Sequence, residues 1–308
     1  MAVPKKTVLI TGCSEGGMGA ALAEAFHQAG YHVYATARDL SKMAGLSKQG
    51  IETLPLDIMS QQSITACVAR VPSLDVLVNN AGLSYSMPMS DVDIDEARKI
   101  FDLNVFAQIA VTQAFLPLLL QSKGMLVNQT SVVGCVVGPF QAIYNASKAA
   151  MSMISDCQRL ELEPFGVKVI DLKTGAIKTN LSKNQAQLTT MKIPKGSIYE
   201  PARDAVESAM RHDSMADVGT PADQWAKEVV GDLTKKNPPL IVWRGANARM
   251  GRIGTIMPHG ALDSTIKKMT GLDVVAQKVK VCAIHIGNTI YLQNSLLFDI
   301  SQSLQILV

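Results

Sequence analysis

The chain has 308 residues, 47% of them hydrophobic and 18% charged, which is enough apolar material for a large core in one or two domains. A net charge of +3, with no basic run interleaved with aromatics, argues against a nucleic-acid partner. Five cysteines without C-x-x-C pairing and five histidines without ligand spacing argue against a disulfide framework or a zinc site, and describe reduced core thiols of a cytosolic-type protein.

The first residues, MAVPKKTVLITG, enter a strand pattern at once and leave no room for a signal peptide. No apolar run approaches the roughly 18 residues that a membrane span needs. Thr7 to Ile10 reads as a strand ending in TGCSEGGMG, and a helix is expected over Ala20 to Ala29, closed by Gly30. Strand, glycine turn and helix together suit a dinucleotide: glycine lets the backbone approach a pyrophosphate, and the helix start offers free N–H groups. Gly12, Gly17, Met18 and Gly19 are the candidates there. The motif's extra residue leaves the middle role open between Gly16 and Gly17.

Tyr31 to Thr36 is the second strand, followed by Arg38 and Asp39. An arginine at this point can clamp the 2′-phosphate of NADP, whereas an acid would bind the 2′-hydroxyl of NAD. Arg38 favours NADP, with Asp39 opposing and a merely solvated Arg38 as the plain alternative. A third strand, Ile51 to Leu56, ends in Asp57, which either accepts the adenine amino group or caps the helix expected over Ile64 to Val71. Leu74 to Val78 is a fully apolar strand running into Asn79, Asn80, Ala81 and Gly82, small and amide residues suited to close approach. Strands alternating with helices predict a doubly wound parallel α/β sheet.

Asp91 to Phe101 is an amphipathic helix, and Asn104 opens a second one that Pro117 should kink. Gly124 to Ser131 is the fifth strand, and the apolar loop Val132 to Ile143 after it can floor a pocket. The helix from Tyr144 to Pro164 begins YNASK. Tyr144 and Lys148, four apart, lie on one helical face, where an ammonium would lower the phenol's pKa from about 10 and make it a usable acid. Ser131 adds a hydroxyl that can polarise a carbonyl oxygen. Alone, Tyr and Lys on a surface helix would mean little; the dinucleotide signals raise the pattern above that.

A sixth strand, Val167 to Leu172, leads into KTGAIKTN, where Ile177 and Thr179 are set to meet a nicotinamide carboxamide. Leu181 to Tyr199 reads as a substrate lid or an ordinary surface excursion. Helices follow over Pro201 to Arg211 and Ala222 to Lys236, then a seventh strand, Leu240 to Trp243. Arg249, Arg252, Lys267 and Lys268 mark a basic helical extension, either a solvated face or a contact for a phosphate or a membrane surface. The segment from about Val275 fits no strand of the sheet.

From about Thr7 to Asp273 the chain resembles the short-chain dehydrogenase/reductase family, on TGCSEGGMG, Asp57, NNAG, Asn104, Ser131, YNASK and TGAIKT. TGCSEGGMG, ELEPFGVKV, TGAIKTN and VWRG are similar to the fungal branch that includes 1-acyl-dihydroxyacetone-phosphate reductases. The resemblance implies one NADP-binding domain of Rossmann fold over residues 1–273, with a tail over 274–308. It implies a catalytic tetrad of Asn104, Ser131, Tyr144 and Lys148, with Asn80 and Gly82 also lining the nucleotide. Tyr144 would protonate a ketone or aldehyde oxygen, and Lys148 would orient the nicotinamide ribose and connect through water toward Asn104. A dimer or tetramer in the cytoplasm is implied, with peripheral association at the endoplasmic reticulum or lipid droplets as a variant. The competing reading is a non-redox cofactor-binding protein, cyclase-like or redox-sensing. Thr174 stands where the family has proline before Gly175, an expected loosening of that turn.

Overall fold

The computed structural model describes residues 5–179, 191–213 and 218–280. Runs of β-branched and apolar residues form β1 (Thr7–Thr11), β2 (His32–Ala37), β3 (Glu52–Pro55), β4 (Val76–Asn79), β5 (Met125–Ser131), β6 (Lys168–Thr174) and β9 (Ile241–Arg244). They join in one sheet of order β3-β2-β1-β4-β5-β6-β9, and every neighbouring pair is parallel. The order reverses between β1 and β4, which opens a crevice at the carboxyl ends of the strands. A separate short pair, β7 (Ile177–Lys178) and β8 (Thr220–Pro221), went unforeseen.

Helices cover both faces. On one side lie α1 (Met18–Gln28), α2 (Ala44–Lys48) and α8 (Ala222–Leu233); Leu22, Phe26, Leu46 and Trp225 there pack on Val8, Ile10, Val78 and Leu172. The opposite face carries α3 (Gln61–Val68), α4 (Ile94–Phe101), α5 (Ala107–Ser122) and α6 (Ala142–Leu162). Ile64, Val111, Phe115 and Leu119 from this group meet Leu9, Leu77 and Leu126. The helix starts follow local chemistry: the Ser60 hydroxyl accepts from the Ser63 N–H at α3, and Asp93 accepts from the Asp95 and Glu96 N–H groups at α4. The helix α6 begins two residues earlier than expected and stops before Pro164, which enters a short 3₁₀ turn.

Two expectations change, the helix start at Asn104 and the absence of any apolar run of membrane-spanning length. Asn104 does not open a new helix: Ile94–Ser122 is one unbroken helix of 29 residues, long and apolar enough by length and composition to cross a membrane. The two predicted pieces fuse through a π turn over Asp102–Phe106, and Pro117 sits inside α5 without ending it. Its buried side, with Asn104, Gln108 and Thr112 hydrogen-bonded to the sheet rim and to itself, is that of a core helix.

A third apolar cluster is smaller. Phe140, Ile193, Val206, Met210 and Val275 pack together, joined by Met87, Tyr199 and Leu272. These come from the loop after β4, the loop before α6, residues 191–200, α7 (Arg203–Arg211) and helical residues 272–280. Buried Val275 carries the packed body across the expected boundary at 273. The basic extension forms α9 (Ala248–Gly254) and α10 (Asp263–Met269). Residues 180–190 of the expected lid and 281–308 of the tail lie outside the described residues.

Candidate active site

Each predicted residue sits at or just beyond the carboxyl end of a strand, or on a helix facing that rim. Gly12 follows β1, Arg38 follows β2, Asp57 follows β3, Asn80 and Gly82 follow β4, Ser131 ends β5, and Ile177 and Thr179 follow β6. Tyr144 and Lys148 face this rim from the first turns of α6.

The glycine turn is packed tightly. Gly12 has φ +75°, and a Cβ on it would stand 2.9 Å from the Ala81 Cα; one on Gly19 would stand 2.4 Å from the Gly12 carbonyl oxygen. Gly16 carries the other positive φ, +74°, while Gly17 is the extended residue at the start of α1, so the two glycines divide the middle role. No side chain caps α1, which leaves its first N–H groups and the positive end of its dipole for an anion. Asn80 fixes the turn: its Nδ2 donates to the carbonyls of Thr11 (2.7 Å) and Gly12 (3.1 Å). Met18 Sδ accepts from the Gln129 amide at 3.3 Å, tying the glycine turn to β5.

At the adenosine end, Arg38 is exposed and makes no ion pair among the described residues. Asp39, the residue that opposed NADP, is occupied: its Oδ1 accepts from the Ser41 N–H (2.9 Å) and hydroxyl (2.7 Å), which hold its carboxyl below the usual range. The half-buried Asp57 accepts from the Met59 N–H at 3.0 Å, and Ser60 rather than Asp57 caps α3.

Asn104 is fully buried on the π turn. Its Oδ1 accepts from the Leu83 N–H (2.9 Å), while its Nδ2 donates to the Leu83 carbonyl (2.8 Å) and the Ser147 hydroxyl (3.1 Å). The amide therefore clamps the loop after β4 to α6, with Ser147 a partner that sequence reading passed over. Single π turns of this kind recur at functional sites. A Cβ on Gly82 would meet Asn104 Oδ1 at 3.0 Å and Lys148 Nζ at 3.5 Å, so glycine leaves the rim open in front of both.

The Ser131 hydroxyl lies close enough to the Tyr144 phenol to favour its ionised form, and itself donates to the Thr174 carbonyl at 3.3 Å. The Lys148 Nζ lies 5.9 Å from the Tyr144 ring centre and donates to the Gln129 carbonyl at 3.0 Å. The electrostatics differ from the expectation. Loss of water raises the Tyr144 phenol above 10, and the nearby Ser131 hydroxyl offsets only part of this. Burial also pulls the Lys148 ammonium down from 10.5 to about 8, opposed by the Asp171 carboxylate. Desolvation is the largest influence on both groups, so the phenol stays protonated near neutral pH.

The turn after β6 is not loosened by Thr174. The Gly175 N–H donates to the Arg244 carbonyl (2.9 Å), the Ala176 and Ala246 main chains bond reciprocally, and a Cβ on Gly175 would stand 2.1 Å from the Ala246 oxygen. Ile177 is half-buried against the first core cluster.

The cysteine reading holds for two residues. Buried Cys13 and Cys67 have thiols pushed up to about 12 and about 11 by desolvation, whereas Cys135 and Cys157 are exposed; all four are free.

Residues 6–189 match the short chain dehydrogenase family. The chain is 69% identical over 281 residues to a short-chain dehydrogenase/reductase of Pestalotiopsis microspora, covering 91% of this chain and all of that one. It is 38% identical over 285 residues to the NADPH-dependent 1-acyldihydroxyacetone phosphate reductase of Schizosaccharomyces pombe, covering 88% and 96%. Among solved structures, a short-chain dehydrogenase from Streptomyces avermitilis superposes with a TM-score of 0.70 at 29% identity, over 90% of this chain and 98% of that one. Another from Burkholderia cenocepacia, in complex with NADP, gives 0.67 at 25%, over 86% and 99%. With a family match over residues 6–189 and a relative 69% identical along its whole length, the chain belongs to the short-chain dehydrogenase/reductase family of oxidoreductases.

Proposed function

We propose that the protein reduces a ketone or aldehyde to the alcohol with NADPH. The observation that carries this is the grouping of Ser131, Tyr144 and Lys148, with Lys148 Nζ 5.9 Å from the Tyr144 ring, at the rim beside an uncapped α1. The bare backbone of Gly12 and Gly19 and the open face at Gly82 fit a dinucleotide. Gly12, Gly17, Met18 and Gly19 would hold its phosphates, Arg38 its 2′-phosphate, Asp57 its adenine, and Ile177 and Thr179 its carboxamide. When bound, the nucleotide supplies the hydride.

The chain's own residues do the rest. Ser131 and Tyr144 donate hydrogen bonds to the substrate oxygen, and Tyr144 gives its proton to that oxygen as negative charge builds there. A phenol whose pKa is raised by burial rests in the protonated form that this step needs. Lys148, at about 8, is an ammonium at neutral pH and recharges the phenol's surroundings with positive charge as the proton leaves. Asn104 positions α6 through Ser147.

An acylated ketone phosphate is the first substrate class to try. A relative's name carries such a reaction, and α9, bearing Arg249 and Arg252, packs on Val132 directly after Ser131. A polyketide-like ketone is the second. Assembly into dimers or tetramers goes with this reading, with Phe106, Met153 and Leu160 exposed along the α5–α6 side.

NADPH consumption with a panel of ketones tests the proposal. Tyr144→Phe should slow turnover about 10²- to 10⁴-fold while NADPH still binds; near-normal turnover would contradict the role. Arg38→Ala should raise the KM for NADPH roughly tenfold or more and leave that for NADH nearly unchanged. Equal changes would remove the arginine clamp. A wild-type protein that binds NADPH yet oxidises none with any ketone points to the non-redox reading.

A further inference from the structure

We propose that Asp171 is the buried counter-anion of the catalytic helix, shared by Lys173 and Lys148, and thereby a positioning residue for the Tyr144–Lys148 pair. The inference rests on the reading above, in which α6 carries the proton donor.

Side chains at 144, 148 and 152 follow one another by four and stack along one face of α6. The third of them, Ser152, donates its hydroxyl to Asp171 Oδ2 at 2.7 Å. Lys173 Nζ pairs with the same oxygen at 2.7 Å and donates to Ser152 Oγ at 2.5 Å. The Thr130 hydroxyl donates to Asp171 Oδ1. The carboxylate thus receives three donors, from β5, β6 and α6, and a slide or rotation of α6 would break the one from Ser152. Lys173 itself is wedged 5.6 Å above the Trp243 ring.

The charges do not balance in pairs. Lys148 and Asp171 are each 4% exposed and Lys173 5%, so two buried ammoniums share one buried carboxylate. A buried charge needs a partner, and one missing partner costs far more than the pair gains. The groups facing Lys148 are Tyr144 on its own helix, the Gln129 carbonyl on β5 and Asn104 across Gly82; Asp171 of β6 sits one helical turn along at Ser152 and acts on Lys148 through its charge. Cys135, exposed overall, feels both charges of the Asp171–Lys173 pair, and partial loss of water raises its thiol above the usual range. Asp171 is the anion in this set, and it opposes the loss of the Lys148 proton.

The competing idea is that the Asp171–Lys173 pair is structural and electrically closed. The sign of the response separates the two. In the full-length protein labelled with ¹³C at lysine Cε, the Lys148 resonance is assigned by comparison with Lys148→Arg and titrated between pH 6 and 11. Asp171→Asn should lower the Lys148 midpoint by about one pH unit or more. Lys173→Met, which leaves the carboxylate to Lys148 alone and keeps the packing on Trp243, should raise it. If Asp171→Asn does not fold, the rise in Lys173→Met decides the matter. Shifts of the same sign, or an unmoved midpoint in Lys173→Met, overturn the inference. The high-pH limb of ketone-dependent NADPH consumption should move with the midpoint in each variant. Opposite midpoint shifts in a protein that oxidises no NADPH would support the shared anion and overturn the reductase reading instead.

Discussion

Toward α1 and α8, the strands present Val8, Ile10, Val78, Val127, Ile170 and Leu172, one dry apolar layer. Toward α5 and α6, the same strands start apolar with Leu77, Leu126 and Val169, then turn polar near their carboxyl ends with Asn79, Asn128, Thr130, Asp171 and Lys173. Asn79 donates to Asn128 and Thr112, and Asn128 donates to Ser155 and Gln158 of α6. A dry layer holds helices by area and tolerates small slides. A hydrogen-bonded seam fixes rotation and register, because buried polar groups left unpaired are expensive. The helix that bears Tyr144 and Lys148 lies on the seam.

The largest expected effect tests what the seam tolerates. Lys148→Met should lower turnover by about 10²-fold or more while making the protein more stable at pH 7. The native pKa of about 8 lies below the unfolded 10.5, so the native state binds fewer protons between those values. Wild-type stability should therefore rise with pH across that window, the burial penalty being complete below pH 8. At ~1.4 kcal/mol per unit, a gain of about 1–3 kcal/mol for the variant at pH 7 is expected, closing by pH 10.5. Urea titrations at the two pH values measure it; a variant less stable at pH 7 would refute the electrostatic account.

Next comes the dry face. Leu172→Ala should cost about 2–5 kcal/mol by cavity formation, with turnover below the unfolding range nearly intact. The smallest stability change is on the seam itself: Asn128→Ala should cost about 1–3 kcal/mol yet slow turnover about tenfold through misplacement of α6. If Leu172→Ala proves the more damaging to turnover, the contrast between the faces fails.

Much of this was legible. The parallel sheet, the glycine turn and the Tyr144–Lys148 spacing are local patterns, and local patterns survive folding. Element ends moved by one to three residues, as with β4, where Asn79 joined the strand. The π turn at Asn104 was not legible, since one extra residue in a helical turn leaves no signature in residue type. The phenol's pKa went the wrong way because spacing reveals a neighbour but not the loss of water around it. The seam was readable but overlooked: Asp171 and Lys173, two apart in an otherwise apolar strand, put opposite charges on one buried face. Thr174 shows the converse error, a substitution that looked loosening in a turn held by main-chain bonds from Arg244 and Ala246.

The π turn also makes the helix a ledger of chain length. Between Asp102 and Phe106 the backbone accommodates one residue more than a regular turn would hold. Removing a single residue there would restore ideal winding and cost little in helical bonding. The flanking helices would keep their faces, because the wide turn already absorbs the extra residue, but the turn itself would narrow and draw the Asn104 amide away from Leu83 or Ser147. Regularity and competence are opposed at this point: a mutation that heals the helix would dismantle the rim it serves.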